Sequence, residues 1–215
     1  MSDVTTKPKR IYFVRHGEAL GNATNISQDA TTPLTDTGHA QAKVVAERVA
    51  GLGIDHVYTS NMVRAIETGS YIAKTLGLYP EASELFREWS TPESVRGKHH
   101  DSPEYEAWLE ELTTGYDDPS WRFEDAENFA DLLKRAEEGV ELLESSQHQH
   151  ILVVSHGKFL RFFLTFILLR DMLTPRMHLQ ADAALRMSNT GITVFEITGG
   201  VWRLVTWNDI AHFAE

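Results

Sequence analysis

With 215 residues, 42% of them hydrophobic, the chain is long enough to bury one sizeable core and too short for two ordinary domains. The absence of cysteine excludes disulfide frameworks, thiolate metal sites and cysteine nucleophiles. A formal net charge of −11 argues against nucleic acid or an anionic membrane as partner, since both are held by clustered Lys and Arg, but leaves a small anionic substrate open.

Residues 1–9 are polar and unpatterned and are expected to be disordered, with no apolar leader among them. Residues 10–14 form a short apolar run that stops at Arg15-His16-Gly17, which predicts a buried strand. Ala40, Val44, Val45, Val49 and Leu52 then recur at helical spacing, with Gly53 as the stop. A second strand is expected over 56–59 and a helix over 61–76, ending at Gly77.

The stretch from about 86 to 124 holds Pro92, Pro103 and Pro119, several aromatics and weak periodicity apart from a helix expected over 103–112, and it reads as a cap inserted into the fold. A helix over 129–143 follows, then four aliphatics over 151–154 that suit a central strand, again ending in a His-Gly pair, His156-Gly157. The run over 159–169 is too short to span a bilayer and is broken by Arg161, so the cytoplasm is the expected location. Two last strands, 192–197 and 202–207, are joined at Gly199-Gly200. Alternating strands and helices predict an α/β fold, a three-layer α/β/α sandwich on a mostly parallel sheet, in one domain with a cap. Ligands in such sheets bind at the carboxyl ends of the strands, where both His-Gly pairs fall.

Three separated segments each bring a cation-capable side chain to such an end: Arg15 and His16, Ser60 leading to Arg64, and Ser155 with His156. Together they would make an anion site, because two guanidinium forks match the oxygens of a phosphoryl group and imidazoles add donors without metal. His99, His100 and Asp101 lack metal-ligand spacing and read as a solvated loop, and Glu67 as structural.

Arg15-His16-Gly17-Glu18 with Asn22, Ser60-x-x-x-Arg64-Ala65-x-Glu67-Thr68, Glu88 after Leu85, and Ser155-His156-Gly157 resemble, in order and over nearly the whole chain, the histidine phosphatase superfamily, also called phosphoglycerate mutase-like. The resemblance implies a metal-independent, cofactor-free phosphomonoesterase of the broad-specificity phosphatase kind, working through a phosphohistidine at His16 on a small phosphorylated metabolite. Arg15, Arg64 and His156 would hold the phosphoryl oxygens, with Asn22 as a neutral donor and Gln28, Gly157, Lys158 and Thr190 as further contacts.

For attack, one nitrogen of His16 must be bare. The like charges of Arg15 and Arg64 favour that, and a bond from the other nitrogen to a carbonyl near Gly17 would fix the tautomer. Glu88 is the expected proton donor to the leaving group. The chain departs from mutases after Glu18, in carrying Arg122 alone in the cap, and in Lys158; Arg96, Lys98 and Lys158 are expected to favour a substrate with a second negative group. A phosphoglycerate mutase, a phosphoprotein phosphatase and a phosphate-binding regulatory module remain alternatives, as do a monomer and a homodimer.

Overall fold

A computed structural model of the protein describes residues 8–213. Six strands form one sheet in the order β3-β2-β4-β1-β5-β6, comprising β1 (Lys9–Arg15), β2 (His56–Ser60), β3 (Glu81–Ser83), β4 (His150–Ser155), β5 (Ile192–Thr198) and β6 (Val201–Asp209). The first four run parallel, and β5 and β6 complete the sheet as an antiparallel hairpin turning at Gly199-Gly200.

Alternation along the strands sorts the core into two layers. Ile11 and Phe13 of β1, with Ile151 and Val153 of β4, face α5 (Phe129–Ser145) and α6 (Gly157–Leu169). Tyr12, Val14, Leu152 and Val154 face α2 (Asp36–Val49) and α3 (Val63–Leu76). Residues 151–154 have no exposure, as a strand covered on both faces requires. The three-layer expectation holds.

Three elements had no clear sequence signal: α1 (Leu20–Thr24), β3, and α7 (Pro175–Ala184), which starts with Thr174 as N-cap and Pro175 in its first turn. Of the predicted tail, residues 1–7 lie outside the described residues, while Lys9 opens β1. Its ammonium donates to the carbonyls of Leu143, Glu144 and Ser146 at 2.8, 2.9 and 2.6 Å, so it neutralises the carbonyl end of α5. Among the described residues no helix is long and apolar enough to cross a membrane.

The cap is more ordered than its proline content suggested. The 3-10 turn Glu84–Phe86 buries Phe86 in the main core, while the 3-10 turn Glu93–Val95 and α4 (Pro103–Gly115), capped by Ser102, fold over a small core of Val95, Tyr105 and Trp108. Trp89 joins that core to the main one: its ring lies 6.0 Å from Trp108 and 5.7 Å from Tyr116.

Candidate active site

The sheet's register places the site. Arg15 of β1 pairs with Ser155 of β4, so the next residue of each strand, His16 and His156, leaves the sheet at the same edge. Their rings lie 5.0 Å apart. The chain turns away at Gly17, where a β-carbon would stand 2.5 Å from the carbonyl of Gly38, so only glycine fits. Ser60 ends β2, and Arg64 follows in the first turn of α3.

His16 is 2% exposed. Its Nδ1 lies 2.6 Å from the Gly17 carbonyl, an acceptor only, so the ring proton sits on Nδ1 and Nε2 carries the lone pair. Arg64 Nε–H points to that nitrogen at 3.3 Å. Burial first, then Arg64 and Arg15, pushes the His16 pKa well below the ordinary histidine value, against the opposing pull of the Gly17 carbonyl. The two arginines act in the expected direction, and desolvation adds a larger cause.

His156 is likewise held neutral, by burial and then by Arg64, His16 and Arg15. Its Nε2 shares a 2.8 Å bond with the Ser60 hydroxyl. Arg64 is itself 2% exposed, and burial lowers its pKa to about 10, which leaves it a cation at neutral pH. Arg15 lies against the start of α6, where Gly157 leaves room: a β-carbon there would come 3.3 Å from Arg15 Nε. That Nε is buried without a partner among the described residues.

Arg15, His16 and Arg64 open into a pocket of about 210 Å3 that Asn22, Gln28, Glu88, Gly157 and Lys158 also line, while His156 is fully buried and is not among its lining residues. Asn22 Oδ1 accepts from the Ala19 amide at 3.1 Å, which leaves its amide nitrogen as the free donor. Glu88 reaches across to the first turn of α6, where its carboxylate accepts from the amides of Phe159 at 2.8 Å, Lys158 at 3.2 Å and its neighbour Trp89 at 3.0 Å.

Several expected contacts do not join the site. Thr190 is buried with its hydroxyl on His212 Nε2, and its amide donates to the Arg15 carbonyl, so it braces the β1 exit instead of facing the pocket. Its neighbour Asn189 holds the His16 carbonyl at 3.0 Å. Arg96 turns outward onto Asp125 and the Thr91 carbonyl, and Lys98 onto Glu104 at 2.9 Å. Glu67 accepts from the Leu34 amide, the structural role expected of it.

Lys158 does face the pocket, its ammonium 5.2 Å from both the Trp89 and Trp108 rings. Two further lining groups were missed. Arg161 was read only as a break in an apolar run, and it pairs with Asp182 at 2.6 Å. His100 was assigned to a solvated loop, yet it stacks on Tyr105 at 4.3 Å and lines the wall. Among the described residues no group of three His, Asp or Glu side chains is placed to share a metal ion.

The family model of the histidine phosphatase superfamily (branch 1) matches residues 11–210. The chain belongs to that superfamily. A curated relative, a probable phosphoglycerate mutase GpmB of Yersinia enterocolitica, is 30% identical over 211 residues, covering 94% of each chain. Among solved structures, Bacillus stearothermophilus YhfR superposes with a TM-score of 0.79 at 23% identity, covering 94% of this chain and 98% of that one. An Entamoeba histolytica phosphoserine phosphatase mutant, in complex with phosphoserine, gives 0.78 at 24% identity, covering 95% and 98%. At these identities the two structures show a shared fold.

Proposed function

We propose that the protein is a metal-independent phosphomonoesterase that passes the phosphoryl group of a small metabolite through His16. The observation that carries this reading is the tautomer of His16: a buried, neutral ring with its proton fixed on Nδ1 turns the Nε2 lone pair toward the Arg64 guanidinium, in a pocket that Arg15 also lines. In the first step Nε2 attacks phosphorus, an N–P bond forms, and the P–O bond to the leaving group breaks. Arg15, Arg64 and His156 hold the equatorial oxygens as charge spreads, and Glu88 gives the departing alkoxide its proton. In the second step water attacks phosphorus, its proton goes to Glu88, and phosphate leaves His16 free.

Lys158 has no carboxylate partner among the described residues and rides on an aromatic platform at the pocket wall, which favours a substrate with a second acidic group. Arg96 and Lys98 drop out of that argument because their charges are spent elsewhere. We read the enzyme as one cytoplasmic domain, active as a monomer or homodimer.

The test is phosphate release from p-nitrophenyl phosphate in EDTA by wild type and His16→Ala. Turnover that falls on the order of 10⁴-fold in the variant is expected. Undiminished release, or strict metal dependence, overturns the reading. The name of the Yersinia relative favours a second one, a mutase. Isomerisation of 3-phosphoglycerate primed by a bisphosphate, outpacing release of free phosphate, would establish it instead.

A further inference from the structure

Behind the segment that carries Glu88 sits a buried ion pair that does not line the pocket. Glu127 and Arg135, 5% and 7% exposed, meet fork to fork, with Arg135 Nε and Nη2 each 2.7 Å from one carboxylate oxygen. The remaining guanidinium nitrogen, Nη1, donates to the backbone carbonyls of Arg87 at 2.7 Å and Leu85 at 3.1 Å.

Glu127 binds the same segment from its own side. Its carboxylate also accepts from the Arg87 side chain at 3.0 Å and from the Ser90 amide at 3.3 Å, and its backbone carbonyl accepts from Trp89 Nε1 at 2.7 Å. Residues 85, 87, 89 and 90, on both sides of Glu88, are therefore tied to one pair. Arg135 also lies 4.3 Å over the ring of Phe159, whose amide makes the shortest bond to the Glu88 carboxylate.

Burying two charges costs desolvation, and a well-packed apolar pair would hold the fold about as well. What an apolar pair lacks is directionality: it cannot fix the carbonyls of 85 and 87 and the amide of 90 at set distances. We infer that Arg135, acting with Glu127, is a positioning residue that aims the Glu88 carboxyl at the start of α6 and so governs proton delivery to the leaving group. This rests on the reading of Glu88 as the proton donor.

Leaving groups that differ in their need for a proton supply the test. Single-turnover phosphoryl transfer is measured with p-nitrophenyl phosphate, whose anion departs unaided, and with glycerol phosphate, whose alkoxide does not. Arg135→Lys keeps the buried charge but loses the fork. It is expected to slow transfer from glycerol phosphate by about tenfold or more and from the nitrophenyl ester by no more than about twofold. In a Glu88→Gln background the same change should add nothing further.

Equal slowing of both esters, or a full additional loss on Glu88→Gln, overturns the positioning role. Should Arg135→Lys fail to fold, the neutralised pair Glu127→Gln with Arg135→Met carries the same comparison. The Glu88→Gln arm by itself tests the underlying reading. If that variant treats the two esters alike, the proton-donor assignment fails first, and the inference falls with it for a reason the data identify.

Discussion

The two walls of the pocket are built by different means. Arg15, His16 and His156 stand at strand ends or one residue beyond, where backbone register sets their positions before any side chain is considered. Glu88 and Trp89 stand on a cap segment without sheet partners, where position comes from side-chain bonds such as those of Glu127 and Arg135, and His100 stands on one tied to residues 25–27 by backbone bonds outside the sheet. The first wall should therefore tolerate changes around it and lose chemistry when its own members change. The second should respond to residues that never meet the substrate.

On the proposed reading, the largest expected effect after replacement of His16 is that of Arg64→Ala, in the first turn of α3 beside that wall. Losing a preorganised cation at the phosphoryl oxygens should lower kcat by on the order of 10²–10³-fold. Because Arg64 also depresses the His16 pKa, the acid limb of kcat/KM against pH should move to higher pH in the same variant. A limb that stays in place would remove Arg64 from the electrostatics of His16.

Acid should weaken both regions, through histidines buried in each. His16 and His156 are held neutral at the strand ends, and His178, under the cap with its Nδ1 2.8 Å from the Tyr116 hydroxyl, is pushed down to about 4 by burial. Below about pH 6.5 the unfolded chain binds protons that the folded one refuses, so stability falls as pH drops from there, and for His178 it keeps falling to about pH 4. Each such imidazole should contribute about 1.4 kcal/mol per pH unit, read from urea midpoints at pH 7 and pH 5. A pH-independent midpoint would mean the rings gain protons while still folded.

The smallest pair of effects separates wall from scaffold within the cap side. Lys158→Met should raise KM about tenfold for phosphomonoesters with a carboxylate and leave neutral alkyl phosphates unchanged, the loss of roughly one partly buried ion pair. Arg96→Ala removes a part-exposed pair with Asp125 and should cost only about 0.5 kcal/mol of stability, with no change in that KM ratio. The reverse ranking would return Arg96 to the substrate side.

The same division explains what was legible in the sequence. Arg15, His16, Arg64 and His156 could be read because each follows a short aliphatic strand or opens a periodic helix, patterns that local sequence carries. The β5–β6 hairpin was visible for the same reason, through alternation broken by two glycines. By contrast, β3 is three residues long and α1 five, too short for periodicity to register. Arg161 and His100 reach the pocket only through tertiary packing. Lys158 was noticed, but its platform of Trp89 and Trp108 joins residues distant in the chain, and so does the outward turn of Arg96 onto Asp125.

The position of β4 carries a consequence for synthesis. It lies between β2 and β1, strands that begin 94 and 141 residues earlier in the chain. Until residues 150–155 arrive, β1 has neither of its sheet neighbours, β2 has only the short β3, and His156 is not yet made. A ribosome-bound fragment that stops before β4 should therefore be both chaperone-dependent and catalytically silent. The arrival of β4 joins β1 to β2 and sets His156 beside His16 in a single event, while the far edge of β1 waits for β5.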